Sequence, residues 1–168
     1  ASAEDLMQVN GIGETSATLI TLTFQLTKKY LKNASDKKLK KYDGPDSVKE
    51  LLMSKYLGTR EEMVFMLSLD FDDNILAVNK IAHGTFSAAN IDKRFVLETA
   101  FRNKARSVVL IHNHVNGIPV PSRDDLNTTK AVGDFFQGVN VHLLDHLIYT
   151  DEDIFSMAQI KKFAPLFI

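Results

Sequence analysis

Residues 107–114 read Ser-Val-Val-Leu-Ile-His-Asn-His, and this stretch decides the fold that the rest of the chain is expected to form. Its apolar half is typical of a short buried strand. Because side chains alternate along a strand, His112 and His114 are expected to point to the same side. Ser122 is predicted to begin a helix that carries Asp125 in its first turn. The loop between strand and helix can therefore return the Asp125 carboxylate to the end of the strand.

These three side chains form a candidate metal site. Two imidazole nitrogens and one carboxylate oxygen supply three ligands of a tetrahedral zinc ion and leave the fourth position for water, as in catalytic zinc sites. The chain contains no Cys, so a thiolate ligand and a disulfide framework are both excluded. Two structural interpretations stay open. A His-x-His pair can be a hydrogen-bonded strand end, and Ser122 with Asp125 has the spacing of a capping box, which is compatible with a metal-binding role.

The composition is that of an ordinary soluble globular protein. Hydrophobic residues make up 45% and charged residues 24% of the 168 residues, and the net charge is −1, which excludes a disordered chain. This length suits one domain, or one domain with a small appendage. No apolar run approaches the ~18 residues that a membrane helix needs, and no signal peptide is recognisable. We therefore expect a cytoplasmic protein without a membrane partner. Because the chain does not begin with Met, we expect it to start inside a longer protein.

The remaining patterns predict helices that alternate with strands. Helices are predicted over residues 4–8, 14–32, 47–57, 91–104 and 122–137, and strands over residues 63–70, 75–83, 107–111 and 139–150. Asp46 is expected to cap the helix over residues 47–57, and the polar, Lys-rich segment 33–45 is interpreted as a linker. The predicted fold class is α/β (α+β), with a mixed β-sheet flanked by helices.

The spacing of the candidate ligands carries a specific resemblance. His-x-His, seven residues, Ser, two residues and Asp form the signature of the JAMM (JAB/MPN) metalloproteases. The chain is still more similar to the RadC family of bacterial proteins, historically labelled DNA repair proteins. This similarity covers residues 62–158, and the motifs that carry it are Leu-Ser-Leu-Asp at 67–70, His-Gly-Thr at 83–85, Gly117, Pro-Ser at 121–122 and Leu-Leu-Asp-His-Leu-Ile at 143–148.

The resemblance implies a fold and an activity. The fold is that of JAMM/MPN domains, which is cytidine-deaminase-like. The activity is zinc-dependent hydrolysis of a peptide or isopeptide-like bond in a peptide or protein substrate, with one Zn²⁺ held by His112, His114 and Asp125. The alternative function is a nucleic-acid-associated binding module that has the metal site but no turnover. A structural zinc site or an empty site is a third interpretation.

The resemblance also implies the catalytic residues. In the family, a Glu at the mouth of the first core strand takes a proton from the zinc-bound water. This Glu stands eight residues before the Asp that ends the strand, which here selects Glu62 rather than Glu61. Ser122 is expected to donate a hydrogen bond to the oxyanion of the tetrahedral intermediate. His146 is expected either to support a metal ligand through a hydrogen bond or to be a satisfied core histidine.

The chain departs from the family directly after the histidines. The RadC family usually continues His-Asn-His with Pro-Ser-Gly-Asp-Pro, whereas residues 115–119 here read Val-Asn-Gly-Ile-Pro. The metal ligands are retained, so we expect the departure to affect the rigidity of this loop and its contacts with substrate. Residues 161–168 also match the family poorly.

The N-terminal residues resemble the second half of a helix-hairpin-helix. In that motif, Gly11 and Gly13 would present backbone N–H groups to a nucleic-acid phosphate, although a plain helix–helix turn also needs glycine. Lys28 and Lys29 begin a basic patch, because residues 28–41 contain seven Lys and one acid. DNA, contacted through this region, and a second copy of the chain are the candidate macromolecular partners.

The resemblances also divide the chain into two parts. Residues 1–43 are predicted to be the partial, all-α helix-hairpin-helix with its basic linker. Residues 44–168 are predicted to be the RadC/JAMM metal-binding domain.

Overall fold

The structure is a computed structural model that describes residues 2–38, 41–84 and 91–167, with the backbone alone described for residues 32–38. The helices are α1 (Ala3–Met7), α2 (Glu14–Lys38), α3 (Lys49–Tyr56), α4 (Lys93–Arg102) and α5 (Arg123–Gln137). The strands are β1 (Met63–Leu69), β2 (Ile75–His83), β3 (Ser107–Asn113), β4 (His142–Tyr149) and β5 (Ile154–Ser156). Within the described ranges, no helix has the length and apolar character that crossing a membrane requires.

The five strands form one mixed sheet in the order β2-β1-β3-β4-β5. β1 pairs antiparallel with both β2 and β3, β3 pairs parallel with β4, and β5 returns antiparallel along β4. Helix α5 connects the two parallel strands, as a crossover must. The predicted mixed sheet flanked by helices is therefore confirmed. Its central strand is β3, whose carboxyl end carries the two histidines.

Each face of the sheet packs its own apolar core because side chains alternate along the strands. One core joins the sheet to α4 and α5 and includes Val64, Met66, Val96, Ala100, Val108, Leu110, Val132 and Phe136. The other joins the sheet to α3 and includes Leu51, Leu52, Tyr56, Phe65, Leu67, Val109, Ile111 and Leu147. His112 follows the alternation of Val108 and Leu110, so its ring lies on the α5 side of the sheet.

The linker interpretation of residues 33–45 is wrong where the structure describes this segment. Helix α2 continues to Lys38, and no Gly or Pro interrupts residues 33–38. Lys41 then pairs with Asn74 in an isolated bridge. The Tyr42 hydroxyl donates to Asp145 Oδ2 over 3.0 Å in the core. Residues 39 and 40 lie outside the described residues, and the division of the chain at residue 43 stays a prediction.

The prediction that Asp46 caps a helix is also wrong. A 3₁₀ turn over Pro45–Val48 precedes α3, and the residues that flank the starts of the two helices, Gly44 and Val48, provide no side-chain cap. Ser47 Oγ donates to the Gly44 carbonyl over 2.6 Å and so stabilises the turn locally. Proline at the first position favours this tight start because its φ is already fixed. Helix α3 therefore begins at Lys49, two residues later than predicted.

Candidate metal centre

The two histidines lie at the carboxyl end of β3. His112 belongs to the strand and is fully buried, and His114 follows the strand with its side chain 10% exposed. The centres of their rings are 4.7 Å apart. The two imidazoles therefore project to the same side of the sheet.

Asp125 approaches the histidines from the first turn of α5. Ser122 is the N-cap residue of this helix, and its Oγ accepts a hydrogen bond from the Asp125 N–H at 3.1 Å. Asp125 Oδ2 accepts from the Ser122 N–H at 2.7 Å and from the Ser122 hydroxyl at 2.6 Å. The capping box considered from the sequence is thus present, and it holds the carboxylate that points at the histidines.

The carboxylate and the two imidazoles converge on one point. Asp125 Oδ1 lies 3.1 Å from His112 Nε2, and Asp125 Oδ2 lies 3.3 Å from His114 Nε2. The ligand atoms of the three residues all lie within 4.8 Å of one another. Atoms bound to a tetrahedral zinc ion at ordinary bond lengths stand roughly 3.3 Å apart. The spacing therefore suits one small cation held by all three side chains.

Hydrogen bonds behind His112 relate the positions of the protons on His112 and His146. When the Thr129 hydroxyl donates its single hydrogen to the Asp125 carbonyl at 2.6 Å, it accepts from His146 Nδ1, also 2.6 Å away. His146 Nε2 is then an acceptor, and His112 Nδ1–H donates to it over 2.8 Å. By this count of donors and acceptors, His112 Nε2 carries a lone pair directed towards Asp125.

The same count applies to His114. Its Nδ1 lies 2.7 Å from the Ile118 carbonyl, which can only accept, so Nδ1 carries the proton and Nε2 carries the lone pair. Two imidazole lone pairs therefore face one carboxylate. This arrangement is favourable only when a positive charge lies between these groups, and a divalent cation supplies that charge to all three at once. The donor set consequently fits a metal ion.

The local electrostatics favour the protonation states that metal ligands need. Burial raises the pKa of Asp125, but the hydrogen bond and the charge that His112 supplies when its imidazole is protonated, together with the Ser122 hydrogen bonds, outweigh burial. They hold the pKa of this carboxyl well below its ordinary value. Burial, reinforced by the charge that His112 carries when it is protonated, lowers the pKa of His146 well below its ordinary value. Near neutral pH, Asp125 is therefore ionised, as a metal ligand must be, and His146 is neutral, so its Nε2 can accept from His112.

Glu62 lies half-buried at the mouth of β1. The antiparallel register pairs Val64 with His112, and continuing it by two residues places Glu62 opposite His114. Opposite residues of an antiparallel pair project to the same face. Glu62 is therefore on the histidine side of the sheet and Glu61 on the other side. This register favours the selection of Glu62 as the base, and its catalytic role stays a prediction.

The structure places His146 behind a ligand and adds a residue that sequence reasoning misses. The His146 ring centre is 4.8 Å from that of His112, and its second nitrogen contacts Thr129. One local signal for Thr129 exists, because a threonine four residues after Asp125 in a helix can bond to that carbonyl. Its contact with His146 depends on the packing of α5 against β4, which no local pattern indicates.

The residues predicted to contact DNA do not form one site. Gly11 lies in the turn between α1 and α2 with a φ of +90°, and Gly13 directly precedes α2. Lys28 and Lys29 are exposed far along the same helix. At 1.5 Å per residue, about 22 Å separates Gly13 from Lys28 along the helix axis. A nucleic acid would have to contact the two places separately, and its binding stays a prediction.

A cleft of about 690 Å³ opens beside His114. Its walls come from three connections at the same end of the sheet: residues 58–60 before β1, residues 113–117 after β3 and residues 149–152 after β4. The rings of Tyr56 and Tyr149 also line the cleft and stack at 5.1 Å. Ligands of α/β proteins bind outside the carboxyl ends of parallel strands, and β3 and β4 both end here. Of the three candidate ligands, His114 lines the cleft and His112 and Asp125 do not, so the cleft adjoins the metal centre rather than containing it.

Comparison with known proteins agrees with this architecture. The family model described as "RadC-like JAB domain" matches residues 42–162. A "UPF0758 protein" of Clostridium perfringens is 30% identical over 159 residues, which are 95% of this chain and 69% of the relative. Proteins with the same name from Alkaliphilus oremlandii and Methanosarcina mazei are 32% and 31% identical over 94% and 90% of this chain, covering 68% and 66% of their own lengths.

The chain thus spans about two thirds of the length of these relatives. The matched region contains the sheet, α3 to α5 and all three candidate metal ligands. The match to the family model covers well over half of the chain, and it coincides with the part that forms the mixed sheet. The chain belongs to the family of RadC-like JAB domains.

Proposed function

We propose that this protein is a JAMM-type, zinc-dependent hydrolase that cleaves a peptide or isopeptide-like bond. One observation carries the proposal: a nitrogen from each of two imidazoles and a carboxylate oxygen converge within 4.8 Å at the end of a central strand. Three protein ligands leave a fourth position of a tetrahedral ion open, as in catalytic zinc sites. A bound divalent cation at such a site lowers the pKa of water to about 7 and polarises a carbonyl group.

The residues of the chain have separate tasks in this proposal. His112, His114 and Asp125 hold the cation, and the His146–Thr129 pair keeps His112 in the required tautomer. Glu62 lies on the histidine side of the sheet. Its carboxylate accepts a proton from the attacking water and delivers that proton to the leaving amine.

Ser122 has two tasks that compete for one hydrogen. Its hydroxyl donates to Asp125 Oδ2 in this structure. Stabilisation of an oxyanion would require this hydrogen to turn from the carboxylate towards the substrate. The Ser122 N–H keeps its own bond to the carboxylate meanwhile, so Asp125 would stay in place.

Hydrolysis of a peptide library tests the proposal, with Glu62→Gln and Glu61→Gln as a matched pair. The zinc-loaded protein is incubated with a mixture of synthetic peptides, and cleavage is followed by mass spectrometry. We expect cleavage that a chelator stops and that Glu62→Gln reduces by about 10²–10⁴-fold, the usual contribution of a general base. Glu61→Gln should stay within about threefold of wild type, because Glu61 lies on the opposite side of the strand.

Two results would contradict the hydrolase. The first is full activity of the Glu62→Gln variant at unchanged metal content. The second is a zinc-loaded wild type that cleaves no peptide, which would leave the alternative of a metal-containing binding module without turnover.

A further inference from the structure

On the side that faces β3, residues 61–63 are held by a side chain and not by the strand ladder. The backbone pairing of β1 with β3 ends at Val64 and His112. On the β3 side, residues 61–63 lie beyond this pair and follow the cleft-lining residues 58–60, at a place where the end of a strand would ordinarily fray. The position of the Glu62 carboxylate depends on how this segment is fixed.

The Asn113 amide takes the place of a further rung of the ladder. Its Oδ1 accepts from the Met63 N–H at 2.7 Å, and its Nδ2 donates to the Glu61 carbonyl at 3.1 Å. The two bonds bracket Glu62, and only one orientation of the amide satisfies both of them. Asn113 is 5% exposed, so water competes little for these bonds.

The opposite edge of the same segment is held as well. The Gly84 N–H, directly after β2, donates to the Glu62 carbonyl at 2.8 Å. Glu62 is therefore fixed from β2 by a backbone bond and from β3 by the Asn113 side chain. With the backbone fixed on both sides, the alternation of the strand directs the Glu62 side chain to the face that carries His112 and His114.

We propose that Asn113 is a positioning residue that holds Glu62 against the metal centre. The inference rests on the proposed function, since it assigns the middle residue of the His-Asn-His stretch to the base of that reaction. The three consecutive residues then have different tasks. His112 and His114 point to one side as ligands, and Asn113 bonds sideways to the strand that carries the base.

Cobalt binding tests this positioning without a substrate. Co²⁺ is loaded in place of zinc, its affinity is measured by competition with a chelator, and the pH midpoint of its visible absorption reports proton loss beside the metal. An anionic carboxylate nearby opposes that proton loss. Glu62→Gln should therefore lower the midpoint by about half a pH unit or more. Asn113→Ala should lower it in the same direction with Co²⁺ affinity within about threefold of wild type, because no ligand is removed.

Three further variants separate positioning from general damage. Asn113→Leu keeps the volume of the side chain and adds no charge but loses both hydrogen bonds, so its shift should match that of Asn113→Ala. The double variant Asn113→Ala/Glu62→Gln should shift no further than Glu62→Gln alone, because both changes act through one carboxylate. Asn103→Ala is the control. Asn103 also bonds to β1 and β2, through Ser68 near the far end of β1 and Asn79 in the middle of β2, and its loss should leave the midpoint unchanged.

The outcomes distinguish the two proposals. A shift in Glu62→Gln without a shift in Asn113→Ala or Asn113→Leu would overturn the positioning role alone. A midpoint that Glu62→Gln leaves unchanged would overturn both the catalytic role of Glu62 and its positioning. A wild-type protein that binds no Co²⁺ would overturn the metal site, and the positioning role with it.

Discussion

Thr129 connects the metal centre to helix α5 through a single hydroxyl group. Its hydroxyl donates to the backbone carbonyl of the ligand Asp125 and accepts from His146, whose ring in turn contacts the ligand His112. Residues that hydrogen-bond to metal ligands fix the tautomer and orientation of those ligands, and they commonly contribute 10–100-fold to metal affinity. The neighbouring Thr128 is equally buried, but within the described part of the chain its hydroxyl has no hydrogen-bond partner.

Thr129→Val should therefore weaken zinc binding by about 10–100-fold, measured by competition with a chromogenic chelator. Affinity falls because His146 loses its hydrogen bond to Thr129 and no longer selects the tautomer of His112. Thr128→Val, which removes a hydroxyl of the same kind one residue away, should leave zinc affinity unchanged. Equal affinities in the two variants would show that the His146–Thr129 pair has no influence on the metal.

At the scale of the elements, the structure distinguishes a helix cap from an acidic residue that merely precedes a helix. Asp92 is the N-cap of α4, and its Oδ1 accepts from the Phe95 N–H at 3.0 Å. Asp46 occupies a similar place before α3, yet no side chain caps that helix. The two acids should therefore differ in their contribution to stability.

Asp92→Ala should lower the free energy of unfolding by about 1 kcal/mol, the usual cost of losing an N-cap. Asp46→Ala should lower it by less than about 0.5 kcal/mol, as surface substitutions commonly do. Urea unfolding of both variants beside wild type provides the comparison. A larger loss in Asp46→Ala than in Asp92→Ala would contradict the assigned caps.

The elements that could be predicted from the sequence are those with a local cause. Neighbouring residues alone determine three of these features: the apolar runs of β1 and β3, the turn that joins β1 to β2, and the Ser122 cap of α5. The end of α2 and the start of α3 could not be placed in this way. Polar residues 33–38 are compatible with both helix and coil, and a proline before a helix can begin a 3₁₀ turn as readily as an α-helix.

At the scale of the whole molecule, distant segments meet at buried polar groups. The Asp145 carboxylate accepts from the Tyr42 and Ser156 hydroxyls and from the His146 and Ala158 N–H groups, which joins the segment before α3 to β4 and to the C-terminal segment. Tyr42 and Asp145 are 103 residues apart in the chain. Sequence patterns predict ligand spacing within β3 and α5, but contacts of this kind depend on the finished packing.

The buried His146 makes the stability of the metal-free protein depend on pH. Its pKa in the folded state is below the unfolded value of about 6.5, so the unfolded state binds more protons below that pH. The stability that depends on a neutral His146 should therefore be fully present above pH 6.5. Below that pH, the free energy of unfolding should fall by up to about 1.4 kcal/mol per pH unit. The lowered pKa of Asp125 adds a further loss below about pH 4.

Urea unfolding from pH 7.5 to 5, with chelator present, measures this dependence. His146→Gln should flatten the decline, because it removes the buried group that must take up a proton. His83→Gln, a change at an exposed histidine, should keep the wild-type slope. The same slope in wild type and in His146→Gln would contradict the assignment of a neutral, buried His146.

The metal content of the purified protein tests the central claim most directly. Protein prepared without chelator is analysed by inductively coupled plasma mass spectrometry as wild type, His112→Ala, Asp125→Ala and the control His83→Ala. The account predicts about one zinc ion per chain in wild type and in His83→Ala, and loss of zinc from the other two variants. A wild type that holds no metal after zinc is added back, or zinc retained by both ligand variants, would contradict it.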